Sequence, residues 1–444
     1  MKSVDHARSL AHDIVTRARA AGADAADAMV SSHASLNVSV RLGQLEDVGR
    51  SEGEDLSLRV FCGKRNASVA SSDFASAALD ELVARAIRMA KEAPEDQWAG
   101  LAPESRLLKG HPPQLDIDDG GMIAPEDLRE RALAAEDAAR AVPGVTNSEG
   151  AGAGASRSVM ALATSQGFAA GYAATSYGIQ ASVLAGVAGG MERDYAHHSA
   201  RQLARLDDPE TIGRRAGERA VARLSPGRVP SGALPVVLDR RVGGSVLGHL
   251  VGAIAGPAIT RKTSFLLESM GERIFPAGVT IRDDPHRPRG LRSRPFDGEG
   301  LAVLPICVVE DGHLETWLLD SASARQLGLE PTGHAARGGG VSASNLYMEA
   351  GNLSVEALIG DIARGVLVTE LIGQGVNLTT GDYSRGASGF LIENGQVTRP
   401  IAEFTVAGDL KAMFSGLTPA NDLEFRYGIN VPTLRIDGMT VAGD

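Results

Sequence analysis

Residues 241–256 read RVGGSVLGHLVGAIAG, a helix-like run of small and apolar residues holding one histidine, His249. A lone histidine in such a run raises the question of a metal. A zinc peptidase helix needs two imidazoles that share one ion, a third ligand from elsewhere, and a glutamate to take a proton from the bound water. After His249 come Leu250, Val251, Gly252, Ala253 and Ile254. Neither i+4 nor i+5 is a histidine, and leucine stands where the base is required. One imidazole without a glutamate does not make that centre. At helical spacing His249 shares a face with Val242, Ser245, Val246 and Ala253, which predicts a semi-buried, neutral histidine with one or two hydrogen bonds.

The other histidines do not gather as ligands. His197 and His198 are adjacent and, on a strand, face opposite sides, so they are poorly placed to chelate one ion together. His286 lies in IRDDPHRPRGLRSRPFDGEG, where Arg282, Arg287, Arg289, Arg292 and Arg294 make a basic loop in an acidic chain. Such a loop suits a carboxylate, from a peptide end or a partner; the plain alternative is a solvated loop whose arginines pair with Asp283 and Asp284. HExxH, GxxxxGK[ST], GxSxG and a GxGxxG following a strand are all absent from the sequence. Gly338–Gly340 and the glycines of LIGQGVNLTTGDYSRGASG suit either turns and close packing or approach to a phosphate.

The elements that must position these residues follow from pattern. Apolar residues at Val4, Ala7, Leu10, Ala11, Ile14, Val15 and Ala18 predict an amphipathic helix over 4–21, and similar spacing predicts helices over 76–93, 125–142 and 208–224. Strands are expected in LNVSVRLG, on both sides of Gly63–Lys64, and several times within 156–186. Residues 95–121, rich in Pro, Gly and Asp, are expected to cross the surface as a loop. Strands followed by a helix, twice over, favour an α+β architecture. SPGRVPSG at 225–232 marks the boundary between an N-terminal α+β domain, 1–226, with a subdivision near 95–121, and a strand-rich C-terminal domain, 232–444. Hairpins are expected to turn on Asp311–Gly312 and Asn394–Gly395.

Composition narrows the setting. In 444 residues there are 44 Lys plus Arg against 55 Asp plus Glu, a net charge of −11, which argues against broad binding to nucleic acid or anionic membrane. The two cysteines, Cys62 and Cys307, form no CxxC. Neither a disulfide framework nor a cysteine zinc site is indicated, and a reducing cytoplasm is the expected location. The N-terminal stretch has no apolar core of signal-peptide length.

Five ordered blocks resemble the PmbA/TldD family, in its PmbA (TldE) branch: GHLVGAIAGPAITRKTSFL, SRPFDGEG, NLYMEAGNLS, GVNLTTGDYSRGASGFLIENGQV and ANDLEFRYGINVPTLRIDG. LGQLEDVGRSEGEDLSLRVFCGKRNASVASSDF is similar more loosely. The resemblance implies half of a cytoplasmic TldD–TldE zinc metallopeptidase that degrades small or unfolded peptides, trims the leader of a modified peptide antibiotic and degrades an antitoxin connected with gyrase poisoning. It places His249 at the first histidine of HExxxH, Leu250 at the glutamate and Ile254 at the second histidine. No catalytic residue and no metal ligand therefore carries over: zinc is expected in the TldD-type partner and not in this chain. The alternative is a peptide-binding or scaffold homodimer without protease activity. Substrate- or partner-binding candidates are Asp382, Tyr383, Arg385 and Arg294. NLTTGDYSRGASG is the expected surface for an extended peptide added to a sheet edge, with Asp382 and Arg385 either binding or pairing with each other.

Overall fold

The computed structural model describes residues 2–187 and 189–443. Helix α1 (Val4–Ala20) starts where the Ser3 side chain accepts the His6 N–H, and it buries Ala7, Ala11, Ile14, Val15 and Ala18 as one stripe. α2 (Ser76–Glu92), α3 (Pro125–Arg140) and α4 (Pro209–Ala222) each bury one stripe in the same way; of the three only α4 has a side-chain cap, Asp208, and α3 and α4 carry proline in the first turn. No helix among the described residues is long and apolar enough to cross a membrane.

The first sheet is antiparallel and has the order β3-β2-β1-β4-β5-β6. Its strands are β1 (Ala25–Arg41), β2 (Gln44–Cys62), β3 (Arg65–Ser71), β4 (Val145–Thr164), β5 (Ala169–Ala185) and β6 (Glu192–Ala200). β4 has 20 residues, a span of about 65 Å at ~3.3 Å per residue. That length takes two helix pairs end to end on one face. α1 and α2 cover Ala28, Val30, Leu58 and Ala161, whereas α3 and α4 cover Val38, Val40, Ala153 and Ile179. The residues from 95 to 121 form no strand or α-helix and cross the opposite face, where Leu115 and Ile117 pack on Ala174. Leu162 and Ala170 of that face pack on Phe296 and Leu301, and farther along it lies a groove of about 510 Å³ floored by small and polar residues such as Gly152, Gly154, Ser176 and Gln180.

α3 and α4 approach closely because their contact is built from Ala135, Ala139, Gly213 and Gly217. A Cβ at Gly213 falls 2.0 Å from the Ala135 carbonyl oxygen, a main-chain atom that cannot rotate away. Gly213→Ala gains ~1 kcal/mol of helix propensity, yet overpacking forces the helices apart. We expect a net loss of about 1–3 kcal/mol, read by urea denaturation; a stabilised variant would refute the close contact.

The second half begins with β7 (Gly232–Leu238) and helix α5 (Arg240–Ala253). It continues through β8 (Ile281–Asp283), β9 (Ile306–Glu310), β10 (His313–Leu314), β11 (Leu346–Met348), β12 (Arg364–Val376), β13 (Asp382–Glu393), β14 (Gln396–Asp409), β15 (Leu417–Pro419), β16 (Ile429–Asn430) and β17 (Leu434–Ala442). Strands β14-β13-β12-β7-β17-β15 form one sheet, and pairing of β14 with β17 closes its first five strands into a ring. A smaller sheet, β10-β9-β8-β11-β16, shares its core. The hairpin turns at Asp311–Gly312 (φ 47° and 84°) and Asn394–Gly395 (φ 50° and 76°) adopt the left-handed backbone that those dipeptides tolerate. The fold is α+β, with strands more extensive than the sequence pattern suggests.

Candidate functional site

Asp239, at the end of β7, caps α5 by accepting the Arg241 N–H at 2.8 Å. The helix buries Val246, Leu247, Leu250 and Ala253 against the ring of strands. Leu250 is completely enclosed, and so is Ile254, the first residue beyond the helix. His249 lies on the flank of this stripe, half-buried. Gly252 admits a neighbour: a Cβ there falls 2.6 Å from Leu378 Cδ1. Leu378 thus settles onto α5 and brings the start of β13 beside His249.

Three of the sequence-derived candidates meet at this point. The His249 and Tyr383 rings pack edge to face with centroids 5.8 Å apart. Arg385, two residues along β13 and therefore on the same face as Tyr383, donates from Nη2 to the Leu371 carbonyl at 3.2 Å. His249 Nε2, Tyr383 Oη and Arg385 Nε are all buried, and none has a hydrogen-bond partner. This departs from the expected hydrogen-bonded histidine. An unmatched buried polar group costs ~1–3 kcal/mol, so three in one cluster mark a place for a water or a ligand oxygen. Burial, then the positive charge of Arg385, lowers the His249 pKa and keeps the imidazole neutral near pH 7. Burial pushes Tyr383 up to about 12, so it remains a phenol that can donate. A neutral imidazole, a phenol and a guanidinium without a carboxylate suit a carbonyl or carboxylate oxygen.

The depressed imidazole pKa has a measurable consequence. The unfolded chain takes up the proton at a higher pH, near ~6.5, than the folded chain does. The stability contributed by neutral His249 is therefore complete above that value and lost as pH falls through the folded pKa. His197 and His198 shift the same way, burial being the main cause. Urea denaturation at a series of pH values should show stability falling below about pH 6.5, and His249→Gln should flatten that slope. An unchanged slope in the variant would assign the titration elsewhere.

The remaining candidates lie apart from the cluster. Asp382 faces away from Arg385 and accepts from Thr380 Oγ1, so the two do not pair. β13 is hydrogen-bonded to β12 on one side and β14 on the other, which leaves no edge there for a peptide strand, contrary to the expectation for NLTTGDYSRGASG. Arg294 ties its loop to Ser342 through the side-chain hydroxyl at 3.0 Å and the carbonyl at 2.7 Å. The arginine loop does not pair with its own aspartates. Arg282 bridges to Glu349 and Arg289 to Asp116, while buried Asp283 accepts from His334 and Ser344 and Asp284 accepts the His286 N–H. His198 Nδ1 accepts the Asp207 N–H, and His197 packs between Tyr195 and Tyr427. Gly338, Gly339 and Gly340 all have positive φ, as a turn requires.

Sequence reasoning missed the ion-pair network that fixes α5 against the first sheet. Arg241 grips Asp194 of β6 with two bonds of 2.8 and 3.1 Å, and Arg223 at the end of α4 lies 3.5 Å from Asp194 and 2.6 Å from Glu370 of β12. Burial raises the Asp194 pKa, but the Arg241 hydrogen bonds and charge outweigh it and hold the carboxyl below its usual range. Nothing local in the sequence links residues so far apart.

Three consecutive family models, described as domain 1, the central domain and the C-terminal domain of the PmbA/TldA metallopeptidase, match residues 26–90, 119–224 and 231–443. The metalloprotease PmbA of Escherichia coli O157:H7 is 38% identical over 422 residues, covering 95% of this chain and 92% of that protein. The chain belongs to the PmbA/TldD family. A PmbA homologue from Haemophilus influenzae is 34% identical, covering 98% of this chain and 95% of its own length. Among solved structures, a Bacteroides thetaiotaomicron protein proposed as a modulator of DNA gyrase superposes with a TM-score of 0.92 at 27% identity, over 99% of both chains. TldE of Thermococcus kodakarensis shares the fold, with a TM-score of 0.87 at 21% identity over 98% of this chain and 100% of its own.

Membership of a metallopeptidase family raises the question whether these residues suit a metal. Around α5 the donor set is a single imidazole packed against a phenol, with the Arg385 guanidinium near enough to lower its pKa; Leu250 and Ile254 are core residues, and a nearby cation repels a second one. Among the described residues no three His, Cys, Asp or Glu side chains gather in a group that could hold a metal ion. The α5 cluster of this PmbA/TldD chain does not fit zinc, which takes three or four N, O or S ligands.

Proposed function

We propose that this chain is the PmbA/TldE-type subunit of a two-subunit metallopeptidase in which a TldD-type partner holds the zinc, and that it handles peptides without cutting them itself. The observation that carries this reading is α5, where Leu250 and Ile254 occupy the core and leave His249 with Tyr383 and Arg385. Three unmatched polar groups of this kind can hold a peptide carbonyl or a terminal carboxylate while the partner supplies the reaction. A TldD homologue from Haemophilus influenzae is 28% identical over 254 residues, 52% of this chain and 53% of that protein, which supports a common ancestry for the two types of subunit. The peptide classes proposed are small or unfolded peptides, the leader of a modified peptide antibiotic, and an antitoxin connected with gyrase poisoning. The proposed setting is the cytoplasm.

The test is to purify this chain, measure its zinc, and follow leader-peptide cleavage before and after adding a TldD-type subunit. Cleavage is expected only in the mixture, with no stoichiometric zinc in this chain alone. Stoichiometric zinc together with partner-free cleavage would overturn the reading. Peptide binding without cleavage, even in the mixture, would replace it with a scaffold homodimer.

A further inference from the structure

Where β6 ends against the arginine-rich loop and residues 424–430, a cavity of about 410 Å³ opens, lined by Arg201, Arg205, Arg287, Arg289 and Arg426. Two of these guanidiniums are neutralised. Arg289 meets Asp116 at 2.7 Å, and Arg426 meets Asp207 at 2.5 Å and Glu424 at 3.1 Å. The other three have no carboxylate partner among the described residues. Arg201 donates only to the main-chain carbonyls of Thr175, Gly290 and Leu291. Arg205 is exposed and its side chain is unpaired. Arg287 Cζ lies over the Phe425 ring, 3.3 Å from its centroid, and the guanidinium makes no hydrogen bond.

Three uncompensated cations in one cavity are out of place in a protein whose net charge is −11. Burial costs Arg201 and Arg287 part of their proton affinity. Asp284, the acidic group near Arg287, already accepts the His286 N–H. Contact with Phe425 holds the Arg287 guanidinium in place while its N–H groups stay unpaired, and a guanidinium in that state can take an oxoanion with two parallel bonds. Phe425, itself 37% exposed and packed edge-on against Tyr347 at 5.0 Å, adds an apolar wall. The volume lies within the range of small-ligand sites, ~300–1,000 Å³.

We propose that this cavity binds an acidic side chain of a peptide, with Arg287 and Arg205 holding the carboxylate and Phe425 packing against its apolar neighbour. This rests on the peptide-handling reading above and adds a substrate preference to it, at a place separate from the α5 cluster. Binding is measured on the full chain alone, so a failure to support cleavage with a TldD-type subunit would count against that reading and leave this one standing.

The probe is a hexaglutamate peptide blocked at both ends, with blocked hexaglutamine and inorganic phosphate for comparison, by titration calorimetry at low salt. Hexaglutamate should bind more tightly than hexaglutamine and weaken as salt is raised. Arg287→Gln should weaken it by about tenfold or more. Arg205→Glu, at an exposed position that the fold does not need, should do the same with an unchanged melting temperature. Equal affinity for the two peptides, or full affinity in Arg205→Glu, would overturn the proposal. So would displacement by phosphate at equal concentration, which would make this a site for a small free oxoanion.

Discussion

Asp194→Ala should cost about 3–5 kcal/mol of stability, a large part of the ~5–15 kcal/mol that holds a typical domain folded. Asp194 is 2% exposed and takes both Arg241 bonds, while Arg241 Nε has no partner of its own. Removing the carboxylate leaves the Arg241 cation largely buried and unpaired and takes away one of the three carboxylates beside Arg223, the others being Glu192 and Glu370. The intact pair is worth much less than this, because both charges gave up water to form it. The double variant Asp194→Ala/Arg241→Met should therefore recover part of the loss. The bridge also responds to acid. With its folded pKa depressed, Asp194 contributes fully above the unfolded value of ~3.9, and the contribution disappears as pH falls through the folded pKa. Urea denaturation of the three proteins measures all of this; a loss below ~1 kcal/mol would mean that solvent screens the pair.

Rebuilding the metal helix should destroy the fold before it creates a site. In Leu250→Glu/Ile254→His both new side chains start in the core, where Leu250 and Ile254 have no exposed surface. Loss of the buried leucine alone costs ~2–5 kcal/mol, and an enclosed unpaired carboxylate adds several more. Ile254 also lies past the last helical residue, so its side chain does not continue the His249 face. We expect little soluble folded protein and no stoichiometric zinc, by circular dichroism and metal analysis. Leu250→Met, which preserves volume, should cost less than ~1.5 kcal/mol and keep the fold. A folded double variant with one bound zinc would show that Leu250 and Ile254 stand where a base and a ligand fit without reorganising the site.

The long helices were legible because they announce themselves locally, as with Asp208 capping α4 at the Thr211 N–H and Pro209 in its first turn, whereas the short helices at Ser321–Leu327, Val355–Ile359 and Leu410–Ser415 were not. The long strands were less so. β1 begins at Ala25, yet its first half alternates through Ala26, Ala28 and Val30, which bury little area per residue and give a weak period-two signal. The first half of β2 is exposed and polar, and only pairing with β1 makes it a strand. His249, Tyr383 and Arg385 could each be singled out, but their meeting depends on Leu378 packing over Gly252, a long-range contact. The sequence also gave no sign that β13 lies inside a ring, where an apparent edge is already occupied.

That ring sets an order of assembly. β7 pairs with β17 at Leu238–Leu434, so opposite ends of the second half must meet before the circle is complete. While the chain is being synthesised, β7 and β14 expose unpaired backbone until β17 has been made, and contacts this distant in sequence form slowly. Interrupting synthesis ahead of β17 would leave a nearly finished set of strands with two adhesive margins, the kind of species that chaperones capture and that aggregates without them.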